Sequence, residues 1–117
     1  MPPVLYAHPF SSYCQKVLIA LYENDTAFTY RMLGAEEDPE AFAELAALWP
    51  MKRFPVLVDG GRTYIESSII VEYLAQHHAG PRRLIPDAPD EALEARKMDR
   101  FFDNYVNYPQ QRVVFTA

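Results

Sequence analysis

Phe54-Pro55-Val56-Leu57-Val58-Asp59-Gly60-Gly61-Arg62-Thr63-Tyr64-Ile65-Glu66-Ser67-Ser68-Ile69-Ile70-Val71-Glu72-Tyr73-Leu74 decides the fold. Two runs rich in strand-forming residues flank Asp59-Gly60-Gly61, a glycine turn, and predict a β-hairpin. From Ser67 to His78 the apolar spacing changes to a helical one, with Ile70, Tyr73, Leu74 and His77 on one face. Gly80-Pro81 then stops the helix. A hairpin running straight into a helix is one half of a pattern whose other half lies upstream. Val4 to Ala7 is a short apolar strand ended by His8-Pro9, and Ser12 to about Tyr22 is helical, with Cys14, Val17, Leu18 and Leu21 on one face. Asn24-Asp25 ends that helix with turn chemistry. Phe28 to Met32 alternates as a strand, and the intervening helix requires it to run parallel to the first. Pro39 opens a second helix, where a missing N–H costs nothing, with a stripe of Phe42, Leu45, Ala46 and Trp49 before Pro50. The order is β-α-β-α-β-β-α, an α/β fold.

Beyond it, Gly80 to Pro89 has the composition of a linker. Asp90 is predicted to cap a further helix bearing the stripe Met98, Phe101, Phe102 and Tyr105, which Pro109 should kink or end.

Composition restricts the function. The chain of 117 residues carries 11 Lys+Arg against 16 Asp+Glu, and this acidic balance argues against tracking nucleic-acid phosphates. No apolar run is long enough to cross a bilayer, and the N-terminus lacks the features of a signal peptide. One cysteine, Cys14, excludes an internal disulfide and a cysteine zinc cage, and points to a reducing, cytoplasmic home. His8, His77 and His78 have no metal-ligand spacing, so no metal is expected. His77-His78 is expected to end its helix favourably against the dipole, and Arg82-Arg83 to be solvated.

Three motifs, in this order and spacing, resemble the glutathione transferase family: Ser11-Ser12-Tyr13-Cys14 between the first strand and helix, Arg53-Phe54-Pro55-Val56-Leu57 leading into the hairpin, and Glu66-Ser67 followed by Ile70-Val71-Glu72-Tyr73-Leu74. The serine version of the first motif is similar to zeta-class and related bacterial members. The resemblance implies a thioredoxin-like glutathione-binding domain over residues 1–79, a linker over 80–89, and the first helix of an all-helical domain over 90–117. It implies glutathione as co-substrate, a small-molecule electrophile as the other reactant, and a homodimer.

It also assigns roles. The position matching Ser11 faces the glutathione sulfur. A free thiol has a pKa of about 8.5, and a hydroxyl donor at a helix N-terminus favours the thiolate. Ser11 and Ser12 serve equally well as helix caps, and Ser12 and Cys14 are the secondary candidates for contact with sulfur. Cys14 makes the site Ser-x-x-Cys, where a redox protein needs Cys-x-x-Cys, and it reads more simply as a small apolar residue on the buried helix face. The resemblance implies a cis bond between Phe54 and Pro55 that turns the Phe54 backbone toward the cysteinyl part of glutathione. It implies that Ser67, at the start of a helix, receives the γ-glutamyl carboxylate, and that Glu66 receives the ammonium group. Arg53 is the candidate partner of a glutathione carboxylate, or a plain exposed arginine. Lys52 stands where many members carry glycine.

Two other readings compete. One is a non-catalytic transferase-like assembly domain. The other is a glutaredoxin-like protein acting through Cys14. A transferase of the usual plan has about twice this length, so the chain is expected to be a fragment with little activity alone. Its last helix is expected to be buried against another chain.

Overall fold

The computed structural model describes residues 1–34 and 38–116. Four strands, β1 (Val4–Ala7), β2 (Thr29–Met32), β3 (Val56–Asp59) and β4 (Arg62–Ile65), form one sheet in the order β2-β1-β3-β4. β1 pairs with β2 in parallel and with β3 antiparallel, and β3 and β4 close the hairpin. The helices are α1 (Ser12–Glu23), α2 (Pro39–Leu48), α3 (Ser67–His77), α4 (Pro89–Phe101) and α5 (Tyr108–Thr116), the last two joined by a π-helical turn over Phe102–Asn107.

Strand alternation divides the interior in two. Leu5, Ala7 and Leu57 point to one face of the sheet, where they pack with Cys14, Val17, Leu18 and Leu21 of α1 and Ile70 and Leu74 of α3. Tyr6 and Val56 point to the other face and meet Ala41 and Leu45 of α2. The two-residue period of a strand makes this division automatic once both faces are covered. Each fully buried Leu or Ile contributes about 1.5–3 kcal/mol.

Three expectations need correction. Phe42 is 43% exposed, because Ala41 and Leu45 turn inward and carry the seam of α2. Asp90 does not cap α4: Ala88 is the N-cap, Pro89 is the first helical residue, and Asp90 lies within the first turn, where its charge suits the helix dipole. Pro109 does not end the helix. A proline ring collides with the carbonyl four residues back, but here a π turn widens the backbone just before it, and the Tyr108 N–H reaches back to Asp103 O. The chain therefore stays helical from Pro89 to Thr116. His77-His78 does end α3, with His77 in the last turn and His78 as the C-cap, and the His78 ring also reaches a carboxylate. Its Nε2 lies 2.7 Å from Asp59 Oδ2, and that carboxylate also accepts a hydrogen bond from Tyr73.

One cluster fastens α4 to the sheet domain. Lys16 Nζ lies 3.0 Å from Ser68 Oγ, 2.7 Å from Asp99 Oδ1 and 2.8 Å from Asp103 Oδ2. Burial alone would raise the Asp99 carboxyl. Hydrogen bonds from Lys16 and Ser68, with the charges of Lys16 and Arg100, outweigh it and hold the group below the ordinary 3.8. Lys16→Met should cost about 2–3 kcal/mol in denaturant melts, because two carboxylates that are 25% and 16% exposed lose their shared cation. A depressed carboxylate contributes stability above its unfolded pKa and loses it as pH falls through the folded value. The difference between parent and variant should therefore narrow on acidification below the ordinary carboxylate range. A constant difference down to pH 3, roughly a unit under that range, would contradict this account.

Candidate functional site

Where β1 ends, His8-Pro9-Phe10 carries the chain over the top of the sheet to Ser11, the N-cap of α1. Ser11 is 2% exposed, its N–H donates to His8 O at 3.1 Å, and its Oγ accepts from Cys14 N at 3.3 Å. The cap interaction uses the oxygen as acceptor. The hydroxyl has one proton left to donate, and Cys14 Sγ is one acceptor within its reach.

Next to it the chain enters β3. Phe54–Pro55 is a cis peptide bond, and Pro55 is buried. Ladder pairing with β1 starts only at Val56, leaving the Phe54 backbone outside the sheet. Lys52, two residues before Phe54, has φ +57, the left-handed backbone that glycine adopts at no steric cost. The turn keeps this shape with lysine in place.

The third wall is the junction of β4 and α3. Glu66 sits at φ +70 and ψ 119, a strained backbone for a residue with a side chain. Glu66 is the N-cap of α3 but makes no side-chain cap hydrogen bond. The first N–H groups of α3 consequently have no intrahelical acceptor, and Ser67, 5% exposed, lies among them.

Ser11, Arg53, Phe54, Pro55, Glu66 and Ser67 line one open cavity of about 420 Å³. Ser12 and Cys14 are not among its lining residues. Ser12 Oγ is buried without a hydrogen-bond partner among the described residues. Cys14 lies in the core, accepts from His8 N at 3.4 Å, and has its thiol pushed up by burial, against the opposing hydrogen bonds from Ser11 and the His8 backbone.

The far wall was not legible in the sequence. Tyr13, Trp49, Asp103, Asn104, Tyr108, Gln111 and Phe115 also line it, most of them from the continuous helix beyond Pro89. The Tyr13 hydroxyl donates to Asp103 O at 3.0 Å, and its pKa is raised by burial and then by the Asp103 charge. This phenol is therefore a poor acid near neutrality. Phe115 packs edge-on against His8 and Phe54, with ring centres 5.0 and 6.2 Å apart. Burial lowers the pKa of His8, whose Nδ1 accepts the Phe10 N–H, so the ring is neutral near pH 7.

Charge is distributed unevenly around the space. Lys52 and Arg53 stand on one side, Glu66 and Asp103 line it as well, and two helix N-termini open onto it. Such a site suits a ligand that carries groups of both charges.

Residues 5–82 match the family model described as the N-terminal domain of glutathione S-transferase, and the chain belongs to that family. It is 33% identical over 104 residues to glutathione S-transferase U10 of Arabidopsis thaliana, covering 89% of this chain and 42% of that protein. It is 32% identical over 100 residues to a probable maleylacetoacetate isomerase of Vibrio cholerae, covering 84% and 46%. The chain thus spans less than half the length of these relatives. Among solved structures, the β-etherase LigF from Sphingobium sp. strain SYK-6 superposes with a TM-score of 0.81 at 24% identity, covering 92% of this chain and 45% of that one, a likeness of fold. A glutathione S-transferase from Methylobacillus flagellatus with glutathione bound gives 0.74 at 27% identity, covering 86% and 48%. The fold is the thioredoxin-like one of this family, and among the described residues no helix is long and apolar enough to cross a membrane.

Proposed function

We propose that this chain forms the glutathione-binding portion of a glutathione transferase, with residues 1–79 as the thioredoxin-like domain, 80–89 as linker and 90–117 as the start of the helical domain. The observation that carries the reading is the convergence of Ser11, Phe54, Glu66 and Ser67 on one cavity beside two helix N-termini. These residues come from three separate stretches of the chain, and each matches a motif position of the family.

In this reading Ser67 and the free N–H groups of α3 hold the γ-glutamyl carboxylate, and Glu66 holds its ammonium group. The Phe54 backbone pairs with the cysteinyl part of the peptide, and Arg53 takes a carboxylate. Ser11 donates its hydroxyl proton to the sulfur. The thiol releases its own proton to solvent, and the thiolate forms a C–S bond with an electrophile. A leaving group, where there is one, departs with the electron pair of the bond that breaks. The raised thiol of Cys14, buried in the core, disfavours a redox role for that residue. A cytoplasmic homodimer is the expected state of the whole enzyme.

Retention on immobilised glutathione tests the reading, since an assembly domain without this site would pass through. Ser67→Ala and Glu66→Gln should each weaken glutathione binding by about 1.5–3 kcal/mol, because each removes one hydrogen bond to a charged group of the ligand. Calorimetry on both variants checks this. Parental affinity in the pair would move the γ-glutamyl end elsewhere.

A further inference from the structure

One contact on either side of Ser11 comes from the opposite end of the chain. Gln111, in α5, lies 99 residues beyond Ser12. Its Oε1 accepts from Ser12 N at 3.2 Å, and its Nε2 donates to Phe10 O at 3.4 Å. Phe10 O belongs to the peptide group before Ser11, and Ser12 N belongs to the one after it. One carboxamide therefore holds both peptide planes that flank residue 11. Holding both planes restricts φ and ψ of Ser11 and with them the direction of its Cα–Cβ bond.

The other hydrogen bonds of Ser11 are made within its own loop and helix: N–H to His8 O, O from Gln15 N, and Oγ from Cys14 N. They fix the turn locally. Gln111 fixes it from outside, and it lines the same cavity. Phe115, one turn further along α5, rests on His8 and Phe54 and seats the helix there. Ser12 Oγ, buried without a partner among the described residues, does not substitute for the carboxamide.

We propose that Gln111 is a positioning residue for Ser11, clamping the peptide groups on either side of it so that the hydroxyl points at the sulfur of bound glutathione. This rests on the assignment of Ser11 to the thiol made above. A group that acts through another should change the thiol more than the affinity.

Gln111→Met in the full chain keeps the side-chain length and removes both hydrogen bonds. Three readouts apply: glutathione affinity by calorimetry, the pKa of bound glutathione from thiolate absorbance, and the exchange rate of the Ser12 amide by NMR without glutathione. The expected result is a Ser12 amide about tenfold less protected, a bound-thiol pKa higher by about 0.5–1 unit, and an affinity within about twofold of the parent. Gln111→Glu keeps an acceptor for Ser12 N but loses the donor and adds a negative charge. Its bound thiol should titrate at least as high, and it carries the comparison if the methionine variant does not fold. If Ser11→Ala raises the thiol pKa while the Gln111 variants keep both that pKa and the Ser12 exchange rate of the parent, the role of Gln111 is overturned and that of Ser11 stands. If glutathione bound to the parent titrates like free glutathione, the assignment of Ser11 fails and the inference falls with it.

Discussion

Ser11→Ala is expected to raise the pKa of bound glutathione by about 1–2 units and to leave most of the binding intact. The hydrogen bond from a hydroxyl to a thiolate is charge-assisted and is worth about 1.5–3 kcal/mol, which is the free energy of such a shift. At neutral pH the thiolate fraction, and with it the rate of conjugation, should fall by roughly one to two decades. Ser11 is also the cap of α1, accepting from Cys14 N. The same substitution should therefore lower stability by about 1 kcal/mol. The two effects separate cleanly, because the thiol titration is read on the bound ligand in folded protein and the cap loss is read in denaturant. An unchanged thiol pKa together with a normal cap penalty would leave Ser11 as a structural residue, and Ser12 would be the next hydroxyl to test.

Gly34→Ala is expected to destabilise the chain by about 2–4 kcal/mol and to disturb the loop that carries Ser11. Gly34 has φ +81, where a β-carbon costs about 1–2 kcal/mol. A methyl group there would also lie 2.2 Å from His8 Nε2 and 2.4 Å from His8 Cδ2. The His8 ring has little freedom to yield. It stacks on Phe54 at 5.7 Å, meets Phe115 edge-on, and accepts the Phe10 N–H at Nδ1. Overpacking of this kind costs about 1–3 kcal/mol. Denaturant melts on the alanine variant measure the sum. His8→Ala in the Gly34→Ala background should recover part of the loss, because it removes the collision but not the backbone strain. If the double variant is no more stable than the single one, the collision with His8 is not the cause.

Much of the fold follows from local pattern. The two-residue period of Val4 to Ala7 and Val56 to Val58 assigns the sheet faces, and the helical period of Cys14, Val17, Leu18 and Leu21 turns α1 onto one of them. Asp59-Gly60-Gly61 makes the hairpin because Gly60 and Gly61 both adopt positive φ. The cavity residues quoted from the three motifs sit at element junctions, where caps, prolines and turns leave marks in the sequence. Phe42 lies off the seam of α2 because a helical stripe reads equally well with Ala41 at its centre, and only the sheet beneath decides.

The determinations made by tertiary structure are of another kind. A stripe such as Met98, Phe101, Phe102 and Tyr105 tells which side of a helix is apolar and nothing of what it meets; in this chain these residues are 40–73% exposed. Pro109 carries a strong local signal for a break, yet a π turn absorbs it and the helix runs on over the cavity. That continuation brings Asp103 to Lys16 and Gln111 to Ser12, pairs separated by 87 and 99 residues. No periodicity reaches so far, because such contacts depend on the angle at which one helix crosses another. Sequence alone determined the four strands, the first three helices and the junction residues Ser11, Phe54, Glu66 and Ser67. The packing of the last helix decided which side chains stand opposite them, since a hydrogen bond across the interior requires two distant backbones to be held within ångströms of each other.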